Sequence, residues 1–348
     1  MAFYDTTTLL EVLRVTRAPT SFFLDQCFNR QINFETPTIS FDAVYGDDRR
    51  LAPFVVPNVQ GRIFGGESYE QRSFAPAYVK PKNIIDPNMV IERRPGEALG
   101  TGSLSLDQRR NAVIGDLLRQ HNVRHRNTQE WLAAKAIIDG KVTISGEDYP
   151  STLVDFRRHA SLTYTLTGTA KWTDALSNPL ANLKTGRINA NNRSGARIVK
   201  HVFGGEAWDM FTSRVNLKDL MDLRYKDSQS EIKTMTDGYE GVEYVGTIRS
   251  FNDGGRVDIF VHTGKFIDEA GSEQFILDQK TVVGFSEAVQ GVRCFGAIKD
   301  SDARYQPLEI FPKTWKQEDP SVELLMTQSA PLMVPKQPDA TYSIKVAD

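Results

Sequence analysis

The chain has 348 residues, a quarter of them charged and two fifths apolar, with a formal net charge of −2. This is the composition of a folded globular protein with one large core or two smaller ones. No stretch approaches the roughly 18 consecutive apolar residues of a membrane span, and the N-terminus lacks the basic and apolar regions of a signal peptide, so a cytoplasmic protein is expected. Acids and bases are interspersed, which excludes a basic face for gripping a nucleic-acid backbone.

The first hundred residues carry eight of the sixteen prolines, at 19, 37, 53, 57, 76, 81, 87 and 95. Proline removes a ladder donor and disfavours helix at the residue before it, so extended arms and edge strands are predicted here. Two strands, 51–64 and 72–85, are expected around a Gly65-Gly66 turn, making a long hairpin. An isolated hairpin is marginally stable, so Phe54, Val55, Ile63 and Phe74 need an apolar neighbour, which in an assembly is another subunit. Cys27, with Cys294 much later, makes too few cysteines for a disulfide framework and not the spacing for zinc; two free thiols in a reducing compartment are expected.

Ser105-Leu106-Asp107-Gln108 is a capping box that opens a long helix, and Asp139-Gly140 closes it. About 34 residues at 1.5 Å rise make a rod of roughly 50 Å. Its middle, 119–130, is strongly polar, so one small core is not expected to cover it throughout. A hairpin follows over 141–165, then helix, strand and helix over 176–224, with the strand at 197–203 and the second helix, with breaks, at 206–224. Strands are expected at 242–250, 256–262, 274–277, 281–286, 292–299, 322–327 and 341–346.

Catalytic chemistry is not legible. His121 and His125 have metal-ligand spacing on the long helix, but Asn122 stands where a zinc protease has its glutamate, and two solvated histidines are the better reading. Gly204-Gly205 lies between strand and helix without the lysine or further glycines of a phosphate loop, so a tight turn is expected. Asp300 and Asp302, beside Lys299 and Arg304, read as salt-bridged or solvated rather than as a cation site. No serine elbow occurs, and nothing pairs either cysteine with a base. Neither a catalytic site, a metal nor a cofactor is expected. Trp172, Trp208 and Trp315 read as packing anchors, with interface hot spots as the alternative.

Several ordered runs carry a resemblance. They are Val56-Pro57-Asn58-Val59-Gln60-Gly61, Phe74-Ala75-Pro76-Ala77-Tyr78-Val79-Lys80-Pro81-Lys82, the stretch from Gly291 through Arg293, Gly296, Asp300 and Asp302 to Ala303, Phe311-Pro312-Lys313-Thr314-Trp315, and Gln328-Ser329-Ala330-Pro331-Leu332-Met333. In order and spacing they resemble the lambda-type major capsid proteins of tailed phages, the phage major capsid protein E family. The resemblance implies an α+β chain with the Hong Kong 97-type capsid fold. On it, residues 1–45 look like the N-terminal arm, 46–95 the E-loop hairpin and its base, and 96–175 the peripheral (P) domain with its spine helix at 105–139. Residues 176–310 look like the axial (A) domain, and 311–348 like strands returning to both domains.

The implied function is a major capsid protein that assembles as hexamers and pentamers into an icosahedral virion shell around packaged DNA, expanding as the genome enters. Implied partners are a separate scaffolding protein, because the arm begins close to Met1, a portal at one vertex and a decoration protein. DNA would be enclosed without sequence-specific contact. The supposed hairpin tip, 61–72, has no lysine, and Lys80 and Lys82 lie toward the base, so covalent crosslinking of the kind some relatives use is not expected. Tyr78, Lys80 and Lys82 join the hairpin apolar residues as expected assembly contacts. The alternatives are an encapsulin-like compartment shell, which shares the fold, and an enzyme built on 176–300 with the N-terminal half as an oligomerisation arm.

Overall fold

The computed structural model describes residues 6–15, 21–45, 68–92, 105–146, 149–215, 239–249, 256–268 and 271–348. Two helices, α1 (Thr6–Val15) and α2 (Phe22–Cys27), lead to strand β1 (Arg30–Asn33). An antiparallel pair follows, β2 (Ile39–Tyr45) with β3 (Ser68–Phe74), in which Ile39 faces Phe74 and Tyr45 faces Ser68. The hairpin therefore starts at Ile39, inside the stretch read as arm. The expected strand 51–64 and its Gly65-Gly66 turn, with Phe54, Val55 and Ile63, lie outside the described residues. The expected strand 72–85 is divided. Pairing with β2 ends at Phe74, just before Pro76, and the chain then joins another sheet as β4 (Lys82–Ile85) after Pro81. Proline at 76 and 81 withholds the donors a continuous ladder would need. A one-turn helix, α3 (Pro87–Ile91), is capped by the Asp86 carboxylate.

The long helix, α4 (Leu106–Ile138), has the predicted capping box: Ser105 Oγ accepts from the Gln108 N–H, and Gln108 Oε1 accepts from the Ser105 N–H. Its first half packs Val113, Ile114, Leu117 and Leu118 against Leu9 and Leu13 of α1 and Ile85 of β4. Its last turns, from Leu132 to Ile138, enter a larger core. One face of the polar middle is also covered, since His121, Asn122, His125, Gln129 and Glu130 are buried, while Arg119, Gln120, Arg124 and Asn127 stay exposed. Tertiary partners supply hydrogen bonds there, so polarity did not mean exposure. The hairpin β5 (Lys141–Gly146) and β6 (Tyr149–Asp155) and the short β7 (Thr163–Thr165) occupy the region read as one longer hairpin.

Helix α5 (Pro179–Ser194) is capped by Asn178 and ended by a left-handed Gly195. Strand β8 (Lys200–Gly204) runs directly into α6 (Gly205–Arg214), whose expected extension to 224 passes beyond the described residues. A Cβ on Gly204 would stand 2.4 Å from the Gln279 carbonyl oxygen, so the strand-to-helix junction needs glycine for a close backbone approach. Gln279 also accepts the Gly205 N–H through its side chain and the Ala207 N–H through its carbonyl. These two donors at the start of α6 are thus used within the fold.

Strands β9 (Val242–Arg249) and β10 (Arg256–His262) precede a small hairpin of β11 (Lys265–Ile267) and β12 (Glu273–Phe275). Then come β13 (Thr281–Phe285), β14 (Val292–Phe295), β15 (Phe311–Gln317), β16 (Val322–Gln328), β17 (Pro331–Val334) and β18 (Thr341–Lys345). A mixed six-stranded sheet has the order β7-β18-β13-β8-β10-β9, parallel at β7/β18 and β8/β10 and antiparallel elsewhere. One face packs Phe203, Ile259 and Tyr342 with Trp172, Leu183 of α5 and Phe211 of α6. The other packs Val202, Phe260 and Phe285 with Phe22 and Phe23 of α2 and the end of α4. Two three-stranded sheets, β1-β14-β17 and β15-β16-β4, complete the body. Among the described residues no helix is long and apolar enough to cross a membrane.

Candidate assembly site

The quoted runs that fall among the described residues, from Phe74 onward, meet in one place, while the run 56–61 lies outside the described residues. The segment after the hairpin, from Phe74 to Lys82, lies along the C-terminal run. Val79 and Ser329 exchange backbone hydrogen bonds of 2.8 and 3.0 Å, the Thr327 N–H donates to the Pro81 carbonyl at 3.1 Å, and Tyr78 Oη donates to the Ala297 carbonyl at 2.7 Å. Gly296 donates its N–H to Ala330, and a Cβ there would stand 2.9 Å from the Pro76 ring. Pro331 pairs with Phe295 and Met333 with Arg293, joining β17 to β14. Pro312 pairs with Thr327 and the buried Gln328 with Phe311, joining β15 to β16. The Gly, Pro and aromatic positions of the motifs are therefore a clasp between the hairpin's return strand and the end of the chain.

Charged members of the site take partners that sequence reasoning did not name. Asp300 and Asp302 both bind Lys313, at 3.1 and 2.7 Å, rather than Lys299 or Arg304, and these hydrogen bonds raise the Lys313 ammonium above its ordinary value. Lys82 lies with its Nζ 5.3 Å from the half-buried Trp315 ring, and Lys80 and Lys299 lie 5.2 and 5.9 Å from the Tyr78 ring. Trp172 is fully buried, whereas Trp208 and Trp315 are only partly so. Phe74 is half-buried against the subunit's own core, so it does find a neighbour internally.

Beneath the clasp, the long helix α4 meets the strands through a polar seam. His121 shares one ring nitrogen with Asn83 Oδ1 at 2.7 Å and the other with Thr327 Oγ1 at 3.1 Å, and His125 Nε2 lies 2.8 Å from the same hydroxyl. Burial lowers both imidazoles to about 4, so they are neutral structural groups and not the solvated pair expected from the sequence. Arg110 forks onto both oxygens of Glu323 at 2.8 and 2.7 Å. Further along, the two Glu130 oxygens accept the Phe23 and Leu24 N–H groups at 2.8 and 2.9 Å, holding the first turn of α2. Burial pushes Glu130 up to about 7 against the pull of those donors. Arg126 binds Ser21 Oγ and the Asp25 carboxylate beside it. The seam was hidden in the sequence because its partners come from opposite ends of the chain; the four-residue spacing of 121, 125 and 129 was its one signal.

Burial drives both thiols upward, Cys294 to about 12 and Cys27 further, so neither is a poised nucleophile. No group of acids, histidines or cysteines fit to hold a metal occurs among the described residues. Among the described residues the geometry joins distant segments mechanically.

The family described as phage major capsid protein E matches residues 5–346. The major capsid protein of Escherichia phage N15 is 29% identical, and that of Escherichia phage lambda 28%, each over 100% of both chains. A crystal structure described as the capsid protein of a prophage of Escherichia coli CFT073 superposes with a TM-score of 0.74 at 23% identity, covering 100% of both chains. The mature capsid of bacteriophage PhiM1 gives 0.51 at 11% identity, over 94% of this chain and 87% of its own.

Proposed function

Because the chain belongs to the phage major capsid protein E family, we propose a working scheme for it as the repeating wall unit of a tailed-phage head. The fold is the Hong Kong 97-type capsid fold, and copies assemble with one another into the virion shell. The family match across nearly the whole chain carries this reading, and the clasp and seam say how the unit is built for it. An encapsulin-like compartment is the weaker alternative, since the match is to phage capsid proteins.

In this scheme α4 is the spine of the P domain, the six-stranded sheet with α5 and α6 is the A domain, and β2 and β3 carry the E-loop. The E-loop base then reaches back to Ile39 rather than residue 46. Residues 46–67 join β2 to β3, and Phe54, Val55 and Ile63 within them are the contacts offered to a neighbouring subunit. The clasp holds the return strand so that a load on the hairpin passes into β14, β16 and the spine. Hexamers and pentamers, a separate scaffolding protein, a portal, a decoration protein and enclosure of DNA complete the scheme.

Expressed with a scaffolding protein, the chain should sediment as capsomers or closed shells visible by electron microscopy. Phe54→Asp should keep the far-ultraviolet signature of the folded subunit and stop growth at the capsomer. A monodisperse, protease-resistant monomer would sink the scheme, and shells of normal size from Phe54→Asp would remove Phe54 from the contact. Boiled particles should run as a single band of this chain at 39.1 kDa. A ladder of heavier bands that survives reductant would instead reveal crosslinking through Lys80 or Lys82.

A further inference from the structure

Strand β4 is the outer strand of the β15-β16-β4 sheet, and no strand pairs with its free side among the described residues. Its ladder to β16 begins where the Thr327 N–H reaches the Pro81 carbonyl. Alternation in an antiparallel pair then turns Asn83 and Ile85 toward β16, and leaves the backbone N–H and C=O groups of Lys82 and Ile84 pointing outward. Such an edge invites another strand.

The side chains on this edge are selective. Asn83 and Ile85 face the spine helix, so Lys82 and Ile84 face away from it, and Ile84 is 56% exposed. Lys80 and Tyr78 continue the same alternation along the segment, and Lys299 Nζ also lies 5.9 Å from the Tyr78 ring. Lys80, Lys82 and Lys299 are exposed and make no ion pair among the described residues, while the only lysine of this face with carboxylate partners, Lys313, is held by Asp300 and Asp302. Alternate residues of a strand are about 6.6 Å apart, so this face presents a regular row of cation, cation and apolar group.

We propose that the free edge of β4, with Lys80, Lys82 and Lys299, is a docking site for an extended acidic segment of a separate partner protein, which adds a strand with carboxylates opposite the lysines and an apolar side chain against Ile84. The proposal rests on the capsid reading and names the chemistry of one partner in the assembly. A second copy of the same edge fits poorly, because antiparallel self-pairing would bring lysine rows together. A nucleic-acid backbone fits poorly too. Phosphates accept hydrogen bonds and donate none, so they leave the outward carbonyls of Lys82 and Ile84 unpaired and offer nothing apolar to Ile84.

The test uses particles or capsomers of the full chain and a fluorescent peptide of alternating glutamate and valine, read by anisotropy at low salt. Binding to the native chain is expected, weakened about tenfold or more by the double change Lys80→Glu and Lys82→Glu, and weakened also by Ile84→Pro, which removes an outward N–H while keeping every charge. A lysine and valine peptide should ignore the native chain and bind the charge-reversed one, which guards against mere misfolding of the variant. No binding of the acidic peptide, or binding indifferent to the reversal, overturns the proposal. So does duplex DNA that displaces the peptide at equal charge concentration. The assay is read on whatever species the chain forms, so failure to assemble counts against the shell reading and leaves the docking result to stand or fall separately.

Discussion

Below about pH 6.5 the subunit should lose stability steadily, because four of its five histidines are buried as neutral rings. Burial lowers His121, His125 and His262 to about 4 and His201 to about 3, with Arg124 beside His121 and Arg187 beside His201 lowering them further. Above pH 6.5 these rings are neutral in both the folded and the unfolded chain and contribute nothing. Between 6.5 and about 4 the unfolded chain takes up protons that the folded one refuses. Each histidine then costs about 1.4 kcal/mol for every pH unit crossed. Glu130 acts in the opposite sense: the folded chain binds its proton from about pH 7, the unfolded chain only near 4.5, so this group adds stability as the pH falls across that window. One group against four leaves a net decline. The urea midpoint of dissociated subunits should fall from neutral pH to pH 5, and His121→Gln with His125→Gln should flatten part of the slope. A midpoint that holds level or rises over that interval would contradict the neutral burial of the rings.

Phe23→Ala should be among the most damaging single truncations. The ring has no exposed surface and sits edge-on to Phe22 at 5.3 Å and stacked on His262 at 5.5 Å, where α2 packs against both the long helix α4 and the six-stranded sheet. Removing a buried phenyl group costs about 3–5 kcal/mol, a large part of the roughly 5–15 kcal/mol that holds a typical domain together. The backbone N–H of the same residue is held by Glu130, so loosening the ring also loosens the helix cap. Phe23→Leu should recover most of the loss. Chemical denaturation of the two variants decides the matter, and a loss under about 1 kcal/mol for the alanine would mean α2 is not a structural wedge.

The long helix α4 was legible almost to the residue because its signals are local: a capping box at Ser105, a glycine at 140 and apolar residues at helical spacing between them. Strand 256–262 was legible for the same reason, alternation within a few residues. The hairpin was misplaced because proline content announces extended chain without saying which strand it pairs with, and β2 at 39–45 had no proline to announce it. Strands β15 and β17 were passed over because Pro312 and Pro331 argue against strand, and both hold places where the ladder is completed from one side. The burial of His121, His125 and Glu130 depends on Asn83, Thr327, Phe23 and Leu24, separated from them by up to 206 residues, and no local pattern carries that information. The motif runs were quotable one by one, but that those from Phe74 onward form a single clasp is a property of the folded chain.

The clasp also sets a timetable for synthesis. Among the described residues β1 pairs with β14 alone and β4 with β16 alone, so two strands from the first hundred residues wait for partners beyond residue 290. At about 5–20 residues per second a ribosome needs on the order of tens of seconds to close that gap. Throughout it, the pairing edges of β1 and β4 wait without the strands that cover them. Contacts so distant along the sequence form slowly. The same long-range ties leave the strand edges of the nascent chain open to its neighbours on the polysome until the C-terminal strands arrive.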